Sequence, residues 1–265
     1  KYLDIDVRRV GGLLYPASPL AKRISDIEYT DCWGITYTYT GLYWDITKSP
    51  LKGASVEDLD RFPWPKAENL DLRQIEAFRE QARKLWQETE YVVCGEHPVF
   101  GVLELGCWMC GFDDFLLKMA LEPEFVLKFF DKVLEYQKAA IELYYGALGE
   151  YIHFTTSGDD FGTQTGPFVS PDMFGRMIAP YYRERIAYTR KFTKAYYFHH
   201  TCGSVFSLIP HLIDAGVDIL NPIQPGARDM EPEKLKRAYG DRLTFWGGID
   251  TQHVLPDGSP EEVRE

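Results

Sequence analysis

AYYFHHTCGSVFSLIPHLIDAGVDILNP, residues 195–222, contains one complete strand–helix–strand unit. Ala195–His199 is a short apolar run of strand type. Ser204–Ala215 has helical spacing and is stopped by Gly216, and Val217–Leu220 is a second apolar run that closes on Asn221-Pro222. Two strands joined through a helix need a crossover, which makes them parallel neighbours.

The same alternation extends in both directions. Downstream, Glu231–Tyr239 reads as helix and Thr244–Gly247 as strand. Upstream, Ser170-Pro171-Asp172 places a cap and a first-turn proline ahead of a helix running to about Thr193. Before it come a strand at Tyr151–Thr156, which ends in the polar loop Ser157–Gly166, helices at Asp113–Met119 and Pro123–Leu148, and a strand at Tyr91–Gly95. Ser55 followed by Asp58 makes a capping box, and a helix is expected from Asp71 to Glu88. The first 65 residues are rich in Gly, Pro and aromatics and show no sustained period; short strands are expected there at Asp31–Thr40 and Gly41–Ile46.

Repeated βα alternation fits either a doubly wound sheet or a barrel. No G-x-G-x-x-G follows a strand and no G-x-x-x-x-G-K-[ST] occurs, so the barrel is favoured. The expectation is an α/β protein with a (β/α)8 TIM-type barrel, one domain over residues 1–265, incomplete at its C-terminus. Lys1 in place of Met, and an ending inside the helix-like SPEEVRE, lead to the expectation that both natural ends are missing.

Composition narrows the function. With 45% hydrophobic and 26% charged residues, the 265-residue chain can bury a sizeable core. A net charge of −11 gives the long-range field the wrong sign for nucleic acid or an anionic membrane. No run approaches the roughly 20 apolar residues of a membrane span, and KYLDIDVRRV lacks the apolar centre of a secretory signal, so a cytoplasmic protein is expected. Five cysteines in a chain of this length suggest reduced thiols.

In a barrel the chemistry lies just past the strands. The polar residues there are Asp31, which is expected near the first strand, Glu96 and His97, Asp159 and Asp160, His200 and Cys202, Gln224 and Asp250. His200 and Cys202 alternate, so an extended backbone puts imidazole and thiol on one side, a donor pair suited to Zn²⁺. The alternative is a core cysteine beside a hydrogen-bonded histidine. Cys107 and Cys110 form a lone C-x-x-C and are assigned to core packing. Asp159-Asp160 reads either as two acids at a mouth or as a solvated loop, Asp31 as a desolvated carboxylate or a turn aspartate. His153 and His211 read as structural.

SPDMFGRMIAPYYRE (170–184), FHHTCGSVFSLIPHLIDAGVDILNPIQ (198–224), LKRAYGDRLTFWGGID (235–250) and LPDGSPEEV (255–263) together resemble the uroporphyrinogen decarboxylase superfamily, with weaker agreement through DCWG and the PWP segment. The resemblance implies a (β/α)8 barrel and one of two chemistries. In the zinc methyltransferase branch, H-x-C-G and a distant cysteine hold the metal and a methyl group passes from a corrinoid to a thiol. His200 and Cys202 match that motif, and the distant cysteine would fall beyond Glu265. In the cofactor-free decarboxylases an aspartate near the first strand, matched by Asp31, holds the pyrrole nitrogens. Their N-terminal R-x-x-x-R is absent, and Thr163-Gln164 stands where they carry Ser-His. The favoured expectation is therefore a methyltransferase with zinc at His200 and Cys202, Asp31 and Asp160 as catalytic candidates, and Glu96, Gln164, Gln224 and Asp250 as substrate-binding candidates. Its partners would be a small-molecule substrate and a corrinoid protein, and its candidate assembly a homodimer. A non-catalytic binding barrel is the third class.

Overall fold

The computed structural model describes residues 5–264, so the outermost ends of the expected domain lie outside the described residues. Among the described residues there are ten strands: β1 (Val7–Val10), β2 (Lys22–Ser25), β3 (Glu28–Thr30), β4 (Thr36–Tyr39), β5 (Trp44–Lys48), β6 (Val92–Glu96), β7 (Phe154–Gly158), β8 (Tyr196–His200), β9 (Ile219–Asn221) and β10 (Thr244–Phe245).

Six of them form a parallel sheet in the order β1-β6-β7-β8-β9-β10. Each strand is laid beside its predecessor, whereas a doubly wound sheet reverses its order midway. Sequential order is that of a barrel wall. Among the described residues the wall is an arc of six strands, with β1 and β10 each paired on one side only.

The two faces of the arc differ with the period-2 alternation of strand side chains. Val93, Thr155, Tyr197 and Leu220 point outward and are buried. The helices Pro123–Leu148 and Ala179–Thr189 cover that side: Tyr145 meets His97 and Tyr182 meets His199 at 5.6 and 5.1 Å between ring centroids, all four buried. Cys94, Phe154 and Phe198 point inward and make a separate apolar cluster with Val7, Val92 and Ile219.

The capping signals hold. Ser55 and Asp58 form the capping box, Asp71 accepts from Arg73 N, and Ser170 accepts from Met173 N (3.2 Å). The helix begun at Pro171 passes through a π-helical segment, Phe174–Ile178, and ends at Thr189, earlier than expected.

Two features depart from the sequence reading. The first parallel strand is β1, and a four-stranded antiparallel sheet, β2-β3-β4-β5, is inserted after it. Asp31 therefore follows β3 of that insert and does not stand at the end of the first barrel strand. The second is a helix at Val102–Cys110, which is apolar nearly all round and carries Cys107 and Cys110 into the core, in agreement with their assignment to packing. Among the described residues no helix is long and apolar enough to cross a membrane.

Candidate functional site

The inward face of the arc encloses a cavity of about 630 Å³. Phe154, Phe198, Cys94, Val7 and Trp246 line its apolar part, and Arg9, Glu96, Glu104, Thr156, His200 and Asn221 supply its polar groups. Every strand residue in that lining from β6 to β9, with the exception of Ser157, has inward parity, so the strand pleat itself selects them.

At the β8 end the chain turns through His200-Thr-Cys202-Gly203. Gly203 has φ +83°, and a Cβ there would come within 2.5 Å of the Gly162 carbonyl carbon, so this tight turn takes glycine. The register Gly158↔His200 brings the β7 loop alongside, and the carboxylate Oδ1 of Asp160 accepts from Cys202 N (2.7 Å). One ligand atom each from Asp160, His200 and Cys202 then lies within 4.8 Å of the others. Cys202 Sγ is 3.5 Å from His200 Nε2, which is 3.7 Å from Asp160 Oδ1.

These separations fit a metal. Tetrahedral zinc with bonds of about 2.0–2.3 Å sets its ligand atoms roughly 3.3–3.8 Å apart, and its usual donors are carboxylate, imidazole and thiolate. The histidine is oriented as a ligand, because its Nδ1–H donates to Asn221 Oδ1 (2.8 Å) and leaves Nε2 a lone-pair donor. The Asn221 amide is fixed in turn, because its Nδ2 donates to the Trp246 carbonyl (3.1 Å). Burial and the Asp160 carboxylate push the Cys202 thiol up to about 11. Without a cation the thiol stays protonated at neutral pH; beside a divalent cation it ionises.

Asp159 and Asp160 have separate roles. Asp159 is buried and its carboxylate caps the helix Val102–Cys110 from across the loop, accepting from Leu103 N (2.9 Å) and Glu104 N (2.7 Å). Tyr182 Oη donates to it as well (2.9 Å). Burial raises its pKa against these donors. Gly101 precedes the helix because a Cβ there would meet Asp159 at 2.2 Å.

The remaining candidates fall in four places. Glu96 lies in the cavity wall and pairs with Arg9. Gln164, Gln224 and Asp250 come together, but in a narrow crevice with Gly226 and Gln252, outside the cavity lining. There Gln224 Oε1 accepts from Gly203 N (2.7 Å), bracing the H-x-C-G turn, and Asp250 accepts from Gln252 N and His253 N. Asp31 is held in its turn by Trp33 N (2.9 Å) and Ile35 N (3.0 Å) beside Tyr37, away from the cavity lining, and burial raises its pKa. His97 borders the cavity, but its buried ring packs behind the sheet against Tyr145 and Tyr197, with Nδ1 2.9 Å from Arg185.

Glu104 and Asn221 belong to the site and were not among the residues read from the sequence. Glu104 is the lone acid in the apolar stretch VLELGCWMC, and that isolation was a usable signal. Asn221 is the polar residue ending DILN, in the position that marks the other strand ends.

A family model described as uroporphyrinogen decarboxylase (URO-D) matches residues 46–265. No curated protein matches the chain in sequence. Among solved structures, a methyltransferase from Methanosarcina mazei is similar with a TM-score of 0.53 and 17% identity, over 80% of this chain and 59% of that one. At that identity the likeness bears on the fold alone.

Proposed function

This chain belongs to the uroporphyrinogen decarboxylase family, and we propose that within it the protein is a methyltransferase that activates a thiol on a zinc ion held by Asp160, His200 and Cys202. The donor triangle carries the reading: three groups with zinc's preferred chemistry, all within 4.8 Å and two of their separations 3.5 and 3.7 Å, on two adjacent strand ends, with an oriented histidine. A methylated corrinoid on a partner protein, or a methylated small molecule, is the donor.

Zinc, when bound, would hold the acceptor's sulfur and keep it deprotonated at neutral pH. The chain's own residues do the rest. Asn221 fixes the His200 ring, and Gln224 and Gly203 hold the turn that carries Cys202. Phe154, Phe198 and Trp246 give the cavity a low-polarity wall, which favours a thiolate's loss of charge on methylation. The sulfur supplies the electron pair of the new S–C bond, and the donor keeps the pair of the bond that breaks.

Decarboxylation of a polyanionic tetrapyrrole has less support. Arg9, the one arginine or lysine in the cavity wall among the described residues, is already paired with Glu96, and Glu104 adds a second acid. Elemental analysis of protein purified without added metal tests the proposal. About one zinc per chain is expected, falling several-fold or more in Cys202→Ser and in Asp160→Asn. Folded protein without zinc, and with no affinity for added zinc, would overturn it.

A further inference from the structure

Two donors of the proposed zinc site, His200 and Cys202, share one strand end, but Asp160 comes from another. β7 ends at Gly158, so Asp160 stands in irregular chain two residues beyond it. A carboxylate on such a segment ordinarily turns to water. Here it stays 3.7 Å from His200 Nε2.

Thr201, between His200 and Cys202, is fully buried while both its neighbours are half-buried, as expected if its side chain points the other way from theirs. Its Oγ1 accepts from the N–H of Phe161, the residue next to Asp160 (2.9 Å). Its own N–H donates to the carbonyl of Asn221, the residue that orients His200 (2.7 Å). On the other side of Asp160, Asp159 N donates to the His200 carbonyl (3.0 Å). Asp160 is therefore held between two tied neighbours, and from there its Oδ1 reaches Cys202 N. The Phe161 ring is buried as well, stacked on His199 at 5.4 Å and edge-on to Tyr182 at 5.5 Å between centroids. The Asp159 tie is backbone to backbone and continues the β7–β8 ladder. The Phe161 tie needs a hydroxyl at position 201. Without that hydroxyl the buried Phe161 N–H has no acceptor among the described residues and must move toward water, taking Asp160 with it.

We infer that Thr201 is a positioning residue, whose hydroxyl holds the Phe161 peptide group and thereby places Asp160 as the third donor beside His200 and Cys202. That the placed donor serves zinc rests on the methyltransferase reading above; the placement itself rests on the hydrogen bonds. Thr201 thus joins three strand ends: that of β8, on which it stands, that of β9 through Asn221, and that of β7 through Phe161.

Zinc affinity, measured by chelator competition in single and double variants of the full chain, tests this. Thr201→Val keeps the shape and lacks the hydroxyl, and should weaken zinc by about 10- to 100-fold. Thr201→Ser keeps the hydroxyl and should bind zinc as wild type does. Because the loss acts through Asp160, adding Asp160→Asn to Thr201→Val should cost nothing further. In the metal-free protein, hydrogen exchange at the Phe161 and Cys202 amides should speed up by about 10-fold or more in Thr201→Val and stay unchanged in Thr201→Ser. Thermal unfolding shows whether Thr201→Val is folded; if it is not, Thr201→Ala against Thr201→Ser, which differ by the hydroxyl alone, makes the same comparison. Zinc losses that add in the double variant, equal losses in the Ser and Val variants, or amides as protected in folded Thr201→Val as in wild type would each overturn the inference. Wild type without zinc would sink the zinc reading, and the exchange comparison would then decide the placement by itself.

Discussion

His200 acts as a ligand only while one ring nitrogen is kept protonated, and Asn221 is the residue that does this. Asn221→Ala removes the acceptor for Nδ1–H without touching a donor atom of the triangle. Orienting partners of this kind are worth about 10- to 100-fold in metal affinity. Competition with a chromophoric chelator should show zinc binding weakened by that order in the variant, with the unfolding midpoint little changed. An unchanged affinity would mean that the ring is held by its packing instead.

His97 makes the opposite use of its ring. Burial, with Arg185 beside it, holds its pKa well below the ordinary value, so the folded protein keeps it neutral. The unfolded chain protonates at about 6.5, so below that pH the unfolded state carries the extra proton and stability falls with pH. One such histidine contributes up to about 1.4 kcal/mol per pH unit. His97→Asn preserves an acceptor toward Arg185 and removes the titration. Urea unfolding at pH 7 and pH 5.5 should show a smaller acid loss in the variant than in wild type, and equal losses would refute the assignment.

At the scale of the element, the layer between the parallel sheet and its covering helices is polar where a barrel's outer layer is usually apolar. His97, Thr155, Tyr145, Tyr197 and His199 are all buried there, around a buried Arg185. Tyr145 Oη has no hydrogen-bond partner among the described residues. Replacing an unpaired buried hydroxyl by hydrogen is neutral or stabilising. Tyr145→Phe should therefore leave the unfolding midpoint unchanged or raise it; a loss of more than about 1 kcal/mol would show that the hydroxyl is engaged.

Elements were legible in the sequence where a short apolar run or a sustained helical period marks them. The strands near Tyr91–Gly95 and Ala195–His199, and the helix Pro123–Leu148, announce themselves by period and length. The helix Val102–Cys110 does not, because burial on nearly all sides leaves no polar stripe to mark its period. The antiparallel insert was half seen: the strands expected at Asp31–Thr40 and Gly41–Ile46 overlap β4 and β5, whereas β2, exposed along its whole length, shows no alternation, and β3 spans only three residues. At the site, His200 and Cys202 were legible because they are neighbours on one strand. The contact of Cys202 with Asp160 spans 42 residues and depends on the β7–β8 register, which no local pattern encodes.

The whole molecule has two apolar compartments with different duties. The outer one, among the helices that cover the sheet, is closed: Phe130 is fully buried beside Phe115 and Phe129, with centroids 5.8 and 6.2 Å away. The inner one forms the wall of an open cavity, where Phe198 shares its surroundings with Phe154 and Trp246. Truncating a ring in a closed core costs the transfer energy and leaves a new void, about 3–5 kcal/mol together. Truncating a ring that already borders a cavity enlarges an existing space and forfeits fewer contacts. Phe130→Ala should therefore lower the denaturant midpoint by the full amount, and Phe198→Ala by less than half as much while changing the affinity of any ligand the cavity takes. Equal losses of stability would mean that the inner cluster, not the helical layer alone, holds the barrel wall together.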